Sequence, residues 1–231
     1  RRITVKVEDA ASGRLDHITQ EPLPISQAKA LEAFDAFATQ LAAADRFSGV
    51  LVIEQNRQRL YAKPFGLANR EDGTPVQLDT PFLFASQGKM FTAVAVLQLV
   101  DAGKVGLDDP IGKFLADYPN QQVAAVTIRQ LLSHQGGTGD IGVLQPDEGA
   151  TRAWVRSIAE LIKLNGDRAP EFPPGSRFGY SNYGFLLLGA VVEAASGQSY
   201  YDYVAEHIFA PAGMTATRFP TLEQMGDIAR G

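Results

Sequence analysis

Phe84-Ala-Ser86-Gln-Gly-Lys89-Met-Phe-Thr92 opens a run that stays apolar to Val100 and stops at Gly103. Ser86 and Lys89 are three residues apart at the start of a predicted helix, spanning Ser86 to about Ala102. That spacing puts both on one face, where the lysine nitrogen reaches the serine hydroxyl as its base. Spacing alone is weak evidence: with 10 Ser and 7 Lys in 231 residues, about 0.3 such pairs arise by chance. A second pair occurs at Ser26-Gln-Ala-Lys29, and placement separates the two. On the helix expected from Ser26, the apolar face is Leu31, Phe34, Phe37, Ala38 and Leu41. Ser26 reads there as a cap and Lys29 points to water. Lys89 is followed by Met90, Phe91 and Ala93 to Leu97, which predicts a helix buried all round and a lysine short of water. Desolvation disfavours the charged amine and favours a base. The plainer alternative is a Lys89 that reaches the surface and a Ser86 that only caps the helix.

Tyr180-Ser-Asn182 is the second piece. A phenol near Lys89 relays a proton to a leaving group, and the Asn182 amide holds a substrate carbonyl or orients the lysine. The same Y-x-N pattern recurs at Tyr118-Pro-Asn120, where the proline marks a turn and a tyrosine packing on a loop. Pro173-Pro-Gly175 instead leads Tyr180 out of a loop onto an apolar helix that follows Asn182, a position suited to a cleft.

Outward from these motifs, the strand-like runs Phe47 to Glu54 and Arg59 to Gly66 flank polar Gln55 to Gln58 and predict an antiparallel hairpin. Residues 1–25 alternate Ile3, Val5 and Val7 before Pro22 and Pro24, a stray strand or the tail of an upstream domain. Short helices and loops follow Gly103, and a last helix spans about Tyr200 to Phe209. The fold class is α+β, with a helical subdomain at about 104–180 inserted between sheet elements.

Composition excludes several functions. The chain carries 21 Lys+Arg against 26 Asp+Glu, a net charge of -5, with no clustered basic patch for nucleic acid. It has no Cys, so disulfides, thiolate nucleophiles and Cys-based zinc sites are excluded. His17, His134 and His207 are too far apart in sequence to form a helical metal pair. No apolar run reaches the roughly 18 residues of a membrane span. The chain begins with Arg1 and has no apolar leader, so any export signal is expected to have been removed or to lie outside it.

Three patterns are decoys. Gly137-Thr-Gly-Asp-Ile-Gly142 matches a dinucleotide fingerprint but follows a helix-like stretch and runs toward Pro146, not from a strand into a helix. Gly179-Tyr-Ser-Asn-Tyr183 half-matches a nucleophile elbow, with Ser181 at its centre and Tyr183 where a second glycine is needed. Asp108-Asp109 offers two carboxylates, but among 26 acidic residues a solvated helix-start turn is the better reading.

Five segments taken in order resemble serine β-lactamase-related hydrolases. They are Phe47-Ser-Gly-Val-Leu-Val, Phe84 to Thr92, Gly103-Lys-Val-Gly-Leu-Asp-Asp-Pro110, Thr127-Ile-Arg-Gln-Leu-Leu-Ser-His134, and Phe172-Pro-Pro-Gly175 through Tyr180-Ser-Asn182. Within that group the chain resembles class C β-lactamases, D-alanyl-D-alanine carboxypeptidases and related esterases, and the likeness covers about residues 47 to 220. It implies a β-lactamase/transpeptidase-like fold, an antiparallel sheet with packed helices. By matching position it implies Ser86 as acylated nucleophile, Lys89 as its base, Tyr180 as proton relay and Asn182 as a substrate-orienting residue. His134 matches a loop of structural character. No cofactor is implied, and a periplasmic or secreted location is.

One element of that pattern is missing. The family's third motif, Lys or His, a small residue, then Gly, walls the active site from a late strand, and nothing after Asn182 fits it. The expectation is a hydrolase domain over 26–231 that is incomplete, preceded by an extension at 1–25. A second chain or a C-terminal segment would complete its sheet, since unpaired strand edges invite pairing. The expected activity is acyl transfer from an amide, ester or β-lactam carbonyl. The alternative is an impaired homologue that binds peptidoglycan-like peptides or a protein.

Overall fold

The computed structural model describes residues 2–9, 14–21, 25–141, 157–220, 224 and 228–229, with side chains from residue 25 onward. The chain divides into two compact units, Arg1–Leu83 with Leu222–Gly231, and Phe84–Thr221.

In the first unit, β1 (Arg2–Asp9) and β2 (Arg14–Glu21) pair antiparallel, so the alternation at Ile3, Val5 and Val7 belongs to a hairpin. Helix α1 (Gln27–Ala43) starts where expected, with the Ser26 hydroxyl accepting the Lys29 amide at 3.3 Å. Its expected apolar face is only partly used: Ala38 is buried while Phe34 and Phe37 are exposed. The reason is polar docking. Asp35 accepts from Tyr61 Oη at 2.6 Å and Lys63 Nζ at 2.7 Å, and no described element covers the two phenylalanines. β3 (Gly49–Gln55) and β4 (Gln58–Phe65) form the predicted hairpin. Its two-residue turn places Asn56 and Arg57 at φ 51° and 64°, the geometry of a type I′ turn whose twist matches the strands. β5 (Leu67–Asn69) and β6 (Thr74–Pro75) make a third small antiparallel pair.

The second unit is helical among its described residues. It contains α2 (Lys89–Asp101), α3 (Gln121–Ala124), α4 (Ile128–Leu132), α5 (Ile158–Asn165), α6 (Asn182–Ser196) and α7 (Tyr200–Val204). α6 is the axis of this unit and touches α2, α4, α5 and α7. Its sequence explains that place: Leu187, Leu188, Val191 and Val192 are fully buried, as expected of a helix apolar on every side. The core closes with Ala95, Val96 and Leu99 of α2, Ile128 and Leu131 of α4, and Val204 of α7.

Both ends of α6 are specified chemically. Gly197 closes it at φ 77°, a conformation that favours glycine. Ser181 opens it: its Oγ accepts the Gly184 amide at 2.8 Å and, at 2.9 Å, the Thr138 hydroxyl, while its own hydroxyl donates to the Gly139 carbonyl. Ser181 is 4% exposed, so the hydroxyl at the centre of the elbow-like pattern is a buried cap.

α2 departs from expectation. Phe91, Thr92, Ala95, Val96 and Leu99 are buried, but Met90, Val94 and Leu97 are 51%, 41% and 45% exposed. These three lie four and three residues apart on one stripe that no described element covers, so the helix is buried on one face only.

Two substitutions test these local arguments. Arg57→Gly should stabilise the β3–β4 hairpin by roughly 1 kcal/mol, the order of the left-handed penalty a side chain incurs, read as slower amide exchange across Gly49–Phe65; faster exchange contradicts the turn assignment. Ser181→Ala should cost about 1–2 kcal/mol in urea unfolding, as for a lost cap, and an unchanged midpoint contradicts the capping role.

Candidate active site

The entry into α2 is shaped by Ala85, which has φ 47°. A non-glycine residue there costs roughly 1–2 kcal/mol, and such strain persists where neighbours over-determine it. After it, Ala85–Gly88 makes one turn of 3-10 helix that runs directly into α2. Ser86 is thereby left exposed, with half-buried Lys89 one turn on.

The four residues singled out in the sequence converge. Lys89 Nζ lies 3.3 Å from Ser86 Oγ and donates to Asn182 Oδ1 at 2.6 Å. Tyr180 Oη donates to Ser86 Oγ at 2.9 Å. The result is one connected path, Tyr180 to Ser86 to Lys89 to Asn182, held by the starts of α2 and α6 and the residue two before α6. All four belong to the second unit. Lys89 Nζ also sits 4.9 Å from the centre of the Tyr180 ring and 5.8 Å from that of Phe185, within cation–π range. Hydrogen bonding from Lys89 foremost, and then from Ser86, holds the Tyr180 phenol below its ordinary pKa.

Lys89 is less enclosed than its apolar neighbours imply. Because Met90, Val94 and Leu97 face outward, the amine is half-buried and its surroundings are the Asn182 amide and two ring faces.

The decoys resolve by geometry. Asp108 pairs with Arg129 at 2.8 and 2.9 Å, and Asp109 with Lys113 at 2.6 Å, each carboxylate held below its usual range by that cation. Tyr118 is buried and shares a 2.9 Å hydrogen bond with Tyr183 Oη, while Asn120 caps α3. In the glycine-rich segment, Gly137 and Gly139 have φ 68° and 66°, and a side chain on either would strike the Phe172 carbonyl or Glu171. These glycines allow two loops to meet; Gly142 and Pro146 lie outside the described residues. Lys29 of the second S-x-x-K pair is exposed. Among the described residues no three His, Asp or Glu side chains gather as a metal site.

Sequence reasoning missed the surroundings of Tyr180. The His134 imidazole stacks on its ring at 4.6 Å and 29°, and meets Phe185 at 4.9 Å. His134 Nδ1 accepts the Ser181 amide at 3.1 Å. The available signal was Ser133-His134 just after α4, read as structural from the family loop it matches; the partners that give His134 its place lie more than 40 residues away. A separate cavity of about 250 Å³, lined by Thr92, Ile158, Leu161, Phe185, Gly189 and Tyr200 among others, includes neither Ser86 nor Lys89.

A family profile described as Beta-lactamase matches residues 34–227. Penicillin-binding protein 4* of Bacillus subtilis is 33% identical over 174 residues, covering 75% of this chain and 38% of that protein. Esterase EstB of Burkholderia gladioli is 34% identical over 190 residues, covering 75% of this chain and 47% of that one. A crystal structure of a penicillin-binding protein from Bacillus halodurans superposes with TM-score 0.69 at 32% identity, covering 82% of this chain and 60% of that chain. The chain thus spans less than half the length of the two curated relatives. The fold class is α+β of the β-lactamase/transpeptidase type. With the ordered motifs converging on one site and the profile matching 34–227, the chain belongs to the beta-lactamase family.

Proposed function

We propose that the protein is a serine acyl-hydrolase that works through an acyl-enzyme on an ester, amide or β-lactam carbonyl. The observation that carries this reading is the contact of one serine hydroxyl with both a lysine nitrogen at 3.3 Å and a phenol at 2.9 Å. Lys89 takes the Ser86 proton as Oγ bonds to the carbonyl carbon. Tyr180 passes a proton to the leaving oxygen or nitrogen as its bond to that carbon breaks. Water then attacks the acyl carbon and gives a proton to the Tyr180 oxygen, the Oγ–carbon bond breaks, and Lys89 returns its proton to Ser86. Asn182 fixes the amine through its Oδ1, leaving its NH₂ to orient substrate. Relatives named as a penicillin-binding protein and an esterase support β-lactam and ester carbonyls.

The same reading includes a completing segment. The β3–β4 pair has no third strand among the described residues, Met90, Val94 and Leu97 are exposed on α2, and the chain covers 38% of penicillin-binding protein 4*. A second chain or a further segment supplies strands to this hydrolase domain, together with the missing third motif. Absence of one oxyanion donor typically lowers turnover by about 10²–10³. An exported setting, where peptidoglycan-type peptides occur, goes with this function. The second reading, a binder of such peptides or of a protein without turnover, is favoured by that same short span.

Two measurements test the proposal. Hydrolysis of p-nitrophenyl acetate should show a burst of one equivalent that Ser86→Ala abolishes and Lys89→Met slows by about 10²–10⁴, the range of general-base contributions; Ser26→Ala should leave it unchanged. A burst that survives Ser86→Ala contradicts the assignment. Co-expression with the part of penicillin-binding protein 4* that follows its matched region should raise the burst rate, and no gain contradicts the completing segment.

A further inference from the structure

Resting on the hydrolase reading above, we propose that His134 is a positioning residue that holds the Tyr180 phenol on Ser86 only while its imidazole is neutral. His134 grips Tyr180 in three ways. Its backbone carbonyl accepts the Gly179 amide at 2.8 Å, its Nδ1 accepts the Ser181 amide at 3.1 Å, and its ring lies against the phenol ring at 4.6 Å. The amides on both sides of Tyr180 therefore end on one residue. His134 itself has φ 55°, a conformation uncommon outside glycine and most tolerated by Asn, Asp and His. The backbone adopts it where carbonyl and imidazole both serve the Gly179–Ser181 segment.

Accepting at Nδ1 fixes the tautomer, since the single ring proton must then sit on Nε2. A second proton would go to Nδ1, set two donors face to face, and leave the Ser181 amide unpaired at the head of α6. It would also add positive charge beside Lys89, whose Nζ faces the same Tyr180 and Phe185 rings. The charged and titratable groups around the imidazole are Lys89 from α2 and Tyr180 ahead of α6, with Asp140 acting on Tyr180; Phe178 and Phe185 supply only ring faces. Burial first, and the Lys89 charge second, hold the His134 pKa below 6.5. The folded value lies below the unfolded one, so the unfolded chain binds more protons in this window. Stability rises with pH through it, and the contribution is lost as pH falls below 6.5. The Tyr180 clamp should loosen in the same window.

The test uses the full chain with ¹⁵N-labelled histidine and tyrosine ring labels, in wild type, His134→Asn and His134→Phe. Wild-type His134 should show the Nε2–H tautomer at pH 8 and titrate below 6.5, with Tyr180 ring signals shifting at the same midpoint. In His134→Asn, whose Oδ1 can accept the Ser181 amide and whose backbone tolerates positive φ, that shift should vanish. With p-nitrophenyl acetate, wild-type kcat should fall about tenfold per pH unit below the His134 midpoint at constant KM, as for a single protonation. His134→Asn should be about tenfold slower at pH 8 but lack that acid limb, and His134→Phe, which keeps a ring without an acceptor, about a hundredfold slower at every pH. An Nδ1–H tautomer, Tyr180 signals indifferent to the titration, or a wild-type acid limb in His134→Asn would overturn the proposal. The spectroscopic outcomes decide it even if no Ser86-dependent turnover is found, which would instead count against the hydrolase reading.

Discussion

The 2.6 Å hydrogen bond from Lys89 Nζ to Asn182 Oδ1 joins the first residues of two helices that are 93 positions apart in sequence. Everything else at the site is arranged around it. α6 is held in the centre of its unit by residues such as Leu187, Leu188 and Val191 that have no exposed face, and the buried Ser181 cap sets where it begins. α2 packs on α6 and adds Ala95, Val96 and Leu99 to the same core. With both helix starts so placed, Lys89 has one direction in which to point, and that direction passes within reach of Ser86. A reactive group held by packed helices is more closely positioned than one on a free loop.

That arrangement separates two kinds of information in the sequence. The Ser86/Lys89 pair and Tyr180/Asn182 were legible because each is a short pattern next to a long apolar run, and spacing on a helix start is a local property. The β3–β4 hairpin and the Ser26 cap were legible for the same reason. The decoys at Ser26/Lys29, Tyr118/Asn120 and Asp108/Asp109 could be set aside by local context, a cap, a proline turn and a solvated helix start, although Tyr118 and Asp108 also find partners 65 and 21 positions away in Tyr183 and Arg129.

What the sequence did not reveal depends on tertiary partners. The apolar residues of α2 and α1 announce an amount of surface to bury, not the element that buries it, so Met90, Val94, Leu97, Phe34 and Phe37 were assigned to contacts the described residues do not make. Ala85 carries no signal for positive φ, because alanine ordinarily avoids it; the strain exists only where the turn presents Ser86. His134 is separated by 46 positions from the phenol it stacks against, and no periodicity links α4 to the approach of α6. The glycine-rich segment is set aside by its context, but what calls for glycine at 137 and 139, close approach to Phe172 and Glu171, is again a distant contact.

The central claim is that Ser86 is the one nucleophile of a site already assembled in this chain. Its most direct test is intact-protein mass after exposure to a fluorophosphonate, followed by peptide mapping, for the wild-type chain and for Ser86→Ala. The account predicts a single adduct on the Ser86 peptide that the mutant lacks. An adduct retained in the mutant, or none on the wild-type chain, would contradict it.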